Sequence, residues 1–239
     1  MRYCARQIAL LPRKKVTVRT KRCLPYAIIV AVFLIATGAA VELYQNQDRD
    51  QPPVRTGKLA FGKPGAEPPH VRGPAKAPVL VEEFGDFECV PCSLVYPILK
   101  KAEADYGERL SLTFREYPLP KHTHALEAAR AAEAAGLQDH FWEMHDSLYE
   151  NRLVWLNASN TREALVERAA KLGLDTERFQ KDMDGEEVTK RIAADRERVT
   201  SLELDRTPSV FINGDRLTRR PITSEVLHAA IDAALGNQK

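Results

Sequence analysis

Cys89-Val90-Pro91-Cys92 is the stretch of this chain best equipped for chemistry. Two thiols three positions apart can close into a small disulfide ring or open into a dithiol. The pair follows a short apolar run, Val79-Leu80-Val81, and an acidic-aromatic approach, Glu83-Phe84-Gly85-Asp86-Phe87-Glu88. After it, Ser93 to Lys101 reads as a helix. A strand running into a helix through C-x-x-C sets Cys89 at the helix N-terminus. There the unpaired N–H groups and the positive end of the helix dipole favour a thiolate. The thiolate is the nucleophile, so a lowered pKa turns a cysteine into an exchange catalyst. A zinc site is the competing use of C-x-x-C, but it needs two further ligands at suitable spacing. The other two cysteines, Cys4 and Cys23, lie far upstream, and His122 and His124 have an unusual i, i+2 spacing for zinc. The expectation is a redox-active Cys89–Cys92 pair with no metal and no bound cofactor, because the cysteines themselves carry the electrons.

The surroundings supply an address. The 239 residues are 44% hydrophobic and 28% charged, ordinary for one globular domain plus extras. Residues 1–41 hold eight Lys/Arg and no acid. Removing those eight from the total of 35 leaves 27 basic residues against 33 acidic, a net of −6. The basic excess therefore belongs to the N-terminus, and no nucleic-acid surface is expected. No charge occurs between Arg22 and Glu42. Positive charge before such an apolar run keeps the N-terminus in the cytoplasm and sends the rest across the membrane. A basic cytoplasmic stretch (1–23) and a transmembrane signal anchor (24–43) fit this pattern. A signal peptide, with Ala27–Ala36 as its apolar region and cleavage after Gly38 or Ala40, fits it too. Either way the thiols lie outside the cytoplasm, in a bacterium the periplasm, where disulfides form.

The elements that must position the thiols are legible downstream. Residues 44–70 read as a Pro/Gly-rich linker, within a stretch to 78 that holds seven prolines and four glycines. The folded domain spans 71–239. Its expected elements begin with a strand at Val79–Phe84 and a helix at Cys89–Tyr106 containing Pro97. A strand at Arg109–Tyr117 follows, with Leu110, Leu112 and Phe114 alternating against polar residues. Between about 121 and 204 the period is helical. Segments are expected at Thr123–Ala135, His140–Tyr149, from an Asn160 cap to Leu172, from an Asp175 cap through Phe179, and at Glu186–Leu204. A hairpin turning at Asn213-Gly214 and a helix at Thr223–Leu235 close the chain. This order suits an α/β fold, a small mixed sheet covered by helices with a helical insertion between its halves.

The arrangement resembles the thioredoxin fold, and particular residues resemble the DsbA-like thiol–disulfide oxidoreductases of bacterial envelopes. They are Glu83 to Cys92; Phe114-Arg115-Glu116-Tyr117-Pro118-Leu119; His122-Thr123-His124-Ala125; Ala128 to Gly136; Phe141-Trp142-Glu143-Met144-His145; and Thr207-Pro208-Ser209-Val210-Phe211-Ile212-Asn213-Gly214. They occur in order over about 71–236. The resemblance implies a cis-proline at Pro208, whose loop faces the thiols and whose Thr207 backbone pairs with a substrate chain, with Val90 and Pro91 also contacting it. It implies that Glu83 is the buried acid beneath Cys92, exchanging protons with it. Glu82 would then face the opposite way. The implied activity is thiol–disulfide exchange with protein or peptide thiols and disulfides, a membrane redox partner restoring the pair. Oxidation, reduction and isomerisation all remain open, as does a non-enzymatic metal-carrying or peptide-binding module. DsbA carries a histidine between its cysteines. Val90-Pro91 supplies no charge and, at proline, no N–H, so a milder thiolate and a less oxidising couple are expected. His122 and His124 are expected to make loop and helix-start hydrogen bonds, and Phe141, Trp142 and Met144 to be core. Arg219-Arg220-Pro221 finds no explanation in the sequence.

Overall fold

A computed structural model describes residues 62–236, together with residues 29, 30, 34 and 36–38, which are helical. Most of the expected membrane segment, and Cys4 and Cys23, lie outside the described residues. Among the described residues no helix is long and apolar enough to cross a membrane.

The domain is built on a five-stranded mixed sheet. Its strands are β1 (His70–Arg72), β2 (Val79–Gly85), β3 (Leu110–Glu116), β4 (Ser209–Ile212) and β5 (Asp215–Arg216), in the order β1-β3-β2-β4-β5. β2 and β3 are parallel, joined by helix α1 (Val90–Tyr106); the other pairs are antiparallel. The insertion contributes α2 (Ala125–Gly136), α3 (Phe141–Glu150), α4 (Arg152–Leu156), α5 (Thr161–Lys171), α6 (Thr176–Met183) and α7 (Glu186–Ser201), and α8 (Ser224–Gly236) ends the domain. This is the expected α/β arrangement, a thioredoxin fold with helices inserted between its two halves.

Sequence pattern accounts for the layers. In α1, Cys92, Val95, Tyr96, Leu99, Ala102 and Tyr106 recur at helical spacing and are buried. Val95, Leu99, Ala102 and Tyr106 pack with Val79, Val81, Leu110 and Leu112 of the sheet and with Leu227 and Ile231 of α8. A Leu99→Ala change would empty part of this layer, at about 2–5 kcal/mol. On the other face Phe84 and Phe211 meet Val199 and Leu204. The insertion has its own core, in which the alanines of α2 lie against Met144, Leu148, Trp155 and Phe179. Phe141 and Met144 are part of that core, as expected; Trp142 is only partly buried, with the Arg72 guanidinium 4.4 Å from its ring.

Several expectations change. β3 is buried along all seven residues rather than alternating, because a central parallel strand is covered on both faces. β1 falls inside the stretch read as proline-rich, and residues 62–70, assigned to the linker, are held on the domain. Asp195 accepts the Ala66 N–H at 2.8 Å, and Arg191 reaches the Pro68 carbonyl at 3.1 Å. α4 is an unexpected helix; Trp155 anchors it through an Nε1–H bond to the Leu148 carbonyl at 2.8 Å. α7 stops at Ser201 rather than Leu204 because Glu203 takes a positive φ of 52°, and the Leu204 N–H returns to the Val199 carbonyl. Asn213 (φ 50°) and Gly214 (φ 86°) make the expected hairpin turn, which demands the left-handed region twice.

Candidate active site

The connection from β2 to α1 is clamped before chemistry enters. Gly85 ends the strand because any side chain there would collide with the Phe114 ring. Asp86 then organises the turn. One carboxylate oxygen accepts the Glu88 N–H at 2.8 Å; the other accepts the Leu119 N–H at 2.8 Å and meets His122 Nδ1 at 2.8 Å. From the insertion, Arg152 of α4 donates to the Glu88 carbonyl, and the His124 N–H donates to a Glu88 carboxylate oxygen at 2.6 Å. The chain thus arrives at Cys89 in one orientation.

Cys89 is the N-cap of α1 rather than its first residue, with extended backbone (φ −69°, ψ 124°) and a carbonyl that accepts the Ser93 N–H at 3.1 Å. Pro91 follows in the first turn, where its missing N–H costs nothing. Both cysteines are free thiols in this structure. Cys92 is fully buried, whereas Cys89 keeps 5% of its surface. That remnant lines a groove of about 600 Å³ with Val90, Pro91, Leu119, His122 and Thr207. A groove of similar size, about 630 Å³, between α2 and α7 contains none of these residues.

The two thiols differ sharply in acidity. Cys89 is lowered from 9.0 to about 6, chiefly because the Cys92 thiol donates to it, aided by the Thr207 side chain and the Cys92 N–H and opposed by burial and Asp86. Cys92 is raised well above its ordinary value, chiefly by burial, then by that same hydrogen bond and the Glu83 charge. The expected thiolate thus has a specific donor, the Cys92 thiol three residues on, beside the Cys92 N–H of the helix end. Glu83 is buried and raised to about 8, by desolvation first and by the Cys89 charge second. One of its carboxyl oxygens has no partner among the described residues. Glu82 faces the other side of the strand, bonded to Arg115 at 2.9 Å and to Arg198 at 2.8 Å.

The loop before β4 completes the site. The Thr207–Pro208 bond is cis. The Cys89 Sγ–H donates to the Thr207 carbonyl at 3.7 Å. The Thr207 hydroxyl is buried without a partner in this thiol form, yet the side chain lowers the Cys89 pKa. The hydrogen bond between the two residues is the one from the Cys89 thiol to the Thr207 carbonyl. Cys89, Cys92, Glu83, Thr207 and Pro208 are therefore gathered in one place, with Val90 exposed at its mouth. His122 bonds Asp86, and His124 Nδ1 meets the Thr161 hydroxyl at 3.1 Å. The roles of Asp86, Arg152 and Arg220 escape the sequence reading. Their partners lie 36 residues from Asp86, 64 from Arg152 and 12 from Arg220, and no local pattern announces such pairs.

The profile of a thioredoxin family, Thioredoxin_4, matches residues 66–233. A thioredoxin-like oxidoreductase from Silicibacter pomeroyi is similar in structure, with a TM-score of 0.59 at 28% identity, over 70% of this chain and 92% of that one. Wolbachia pipientis alpha-DsbA1 has the same fold, with a TM-score of 0.63 at 21% identity, over 72% of this chain and 92% of that one. Among curated sequences, the Na(+)/H(+) antiporter NhaA 1 of Mycolicibacterium gilvum is 32% identical over 213 residues, 87% of this chain. The chain spans only about a third of that relative's length, 33%.

Proposed function

The chain belongs to the DsbA-like thioredoxin family, and from that premise we propose that it exchanges thiols and disulfides with protein cysteines outside the cytoplasm, using Cys89 and Cys92. The observation that carries the reading is the split in acidity between two neighbouring thiols whose reactive member faces a cis-proline loop. Only a thiolate attacks or leaves readily. Cys89, at about 6, is a thiolate at neutral pH, and Cys92 keeps its proton.

In the oxidising direction a substrate thiolate attacks Cys89 Sγ of the Cys89–Cys92 disulfide and expels Cys92 as a thiolate. Cys92 takes the proton that Glu83 still holds near neutral pH. A second substrate thiolate attacks the substrate sulfur of the mixed disulfide and releases Cys89, a good leaving group at its low pKa. The substrate's two thiols lose two protons to solvent and two electrons to the pair. The pair gains one proton, on Cys92 from Glu83, which is reprotonated from solvent, while Cys89 stays a thiolate. In the reducing direction Cys89 attacks a substrate disulfide, Cys92 passes its proton to the Glu83 carboxylate, and the Cys92 thiolate closes the ring. Stabilisation of the reduced Cys89 thiolate favours oxidation. The Thr207–Pro208 loop, largely buried but lining the groove through Thr207, pairs with the substrate backbone as an added strand, with Val90 and Pro91 beside it. A membrane partner takes the electrons from the reduced pair.

The extracytoplasmic location is supported by the basic segment followed by an uncharged apolar run, as an anchor or a signal. Ion exchange is not part of the proposal, because the likeness to the antiporter covers a third of that protein. The deciding experiment is a Cys92→Ala trap expressed in native cells. It is expected to accumulate mixed disulfides through Cys89, and mass spectrometry would name the substrates. A trap that collects no adducts would overturn the reading.

A further inference from the structure

Arg220 is the residue for which neither the sequence nor the exchange chemistry has supplied a role. It lies between β5 and α8 and donates from Nη2 to the Pro208 carbonyl at 2.7 Å. That carbonyl directly follows the cis bond, one residue beyond the Thr207 carbonyl that meets Cys89 Sγ. A second arginine braces the same loop: Arg216 of β5 donates to the Ser209 hydroxyl and to an Asp205 carboxylate oxygen, each at 3.2 Å. The Ser209 hydroxyl in turn donates to the Arg206 carbonyl at 2.8 Å. Asp205, Arg206, Pro208 and Ser209 are thereby tied down by bonds that do not involve Cys89.

The position is an adverse one for a cation. Burial and the neighbouring Arg216 and Arg206 hold the Arg220 guanidinium below its ordinary pKa, with only lesser help from Cys92 and Asp205. An apolar side chain of similar length would fill the space without that penalty. A charge kept where stability disfavours it points to a role at the site.

We propose that Arg220 is a positioning residue for thiol–disulfide exchange, fixing the Pro208 carbonyl so that the Thr207 backbone stays presented to Cys89 and to the incoming chain. This rests on the function proposed above. A pre-ordered loop binds its strand without first having to be immobilised, so loss of the tether weakens binding more than turnover. One charge-assisted hydrogen bond corresponds to about tenfold.

The test compares the full-length unaltered chain with R220M and R220K in exchange with a disulfide-containing peptide, while following Cys89 thiolate absorbance against pH and thermal unfolding. For R220M the expected result is a KM raised about tenfold with kcat changed far less, a Cys89 titration moved to higher pH, and a Tm equal to or above the original. R220K keeps one donor and should recover most of the KM. Should R220M fail to fold, R220Q takes its place, and the proposal requires KM to rise from Arg to Lys to Gln. An R220M or R220Q chain with unaltered KM and unaltered Cys89 titration would overturn the proposal alone. So would a KM raised equally in every variant, R220K included. An unaltered chain that exchanges no thiols would overturn the proposed function and this inference together.

Discussion

Glu82 and Glu83 are neighbours in one strand, both buried, and chemically unlike. Glu82 points to the face where Arg115 and Arg198 bond it at 2.9 and 2.8 Å. Arg115 also donates to the Ala66 carbonyl at 2.7 Å and to Asp195 at 3.2 Å, so the carboxylate belongs to a network that pins residues 62–70 to the domain. Glu83 points to the thiol face and meets no such cation among the described residues. Burial raises it to about 8, and an oxygen is left unpartnered. One strand therefore carries a structural carboxylate and the protonated carboxyl proposed to serve the thiols, separated by a single peptide unit and the pleat. The difference lies in what the opposite wall supplies. Guanidinium groups turn a buried acid into a fixed charge, whereas burial and the Cys89 charge leave it protonated near neutrality.

The largest effect expected from breaking this division lies on the thiol face. Cys89→Ala should remove exchange activity by a factor on the order of a thousand or more, since the nucleophile itself is lost, and leave the arginine face intact. The measurement is exchange with a model disulfide alongside circular dichroism; retained activity would place the nucleophile elsewhere. The converse change is Arg115→Met. It strips Glu82 of one partner and Asp195 of its guanidinium, which should cost about 3–5 kcal/mol in urea unfolding. The Cys89 titration of the folded variant should not move. A shifted titration would show that the two faces are coupled.

How much of this was legible in the sequence follows from the same contrast. The thiol pair was readable because its parts are local: C-x-x-C, the strand before it and the helix after it. Thr207-Pro208, far along the chain, was placed at the site only by the family resemblance. The period of two sets Glu82 and Glu83 on opposite faces, and the resemblance named Glu83 as the one beneath Cys92. The arginine face was not readable, because Arg115, Asp195 and Arg198 are polar residues in a strand and a helix that pattern alone would turn toward solvent. The same holds for residues 62–70, whose prolines read as linker although Ala66 is buried by contacts to α7. Arg152 on Glu88 and Arg220 on Pro208 are likewise tertiary pairings between segments that carry no mutual signal.

Glu83→Gln sharpens the comparison at the next level down. The amide cannot move the proton, so resolution of the mixed disulfide should slow about a hundredfold below pH 8. Stability should respond with a definite sign. The folded carboxyl keeps its proton up to about 8, while in the unfolded chain it is lost near 4.5. Between those values the folded state binds more protons, so stability falls as pH rises from 4.5 to 8. The glutamine variant should lack that part of the fall. Part of the rise in Glu83 comes from the Cys89 charge, so oxidising the pair should shrink the effect. Unfolding curves at several pH values in both redox states check this, and identical slopes for the two chains would contradict it.

The smallest change expected is at the mouth of the site. With Val90-Pro91 between the cysteines, Cys89 sits at about 6, above the roughly 3.5 of DsbA and below the roughly 7 of thioredoxin. The reduction potential should accordingly fall between roughly −270 and −120 mV in glutathione buffers. Pro91→His would add an imidazolium near the Cys89 sulfur and restore an N–H to the first turn. Both favour the thiolate, which should lower Cys89 by about one unit. A thiolate stabilised only in the reduced form makes the disulfide easier to reduce, so the potential should rise by about 30 mV. The rise requires the charge to act on Cys89 and not on Glu83. If the introduced imidazolium instead met the carboxyl face, it would ionise Glu83, the resolving step would slow, and the potential would stay where it was.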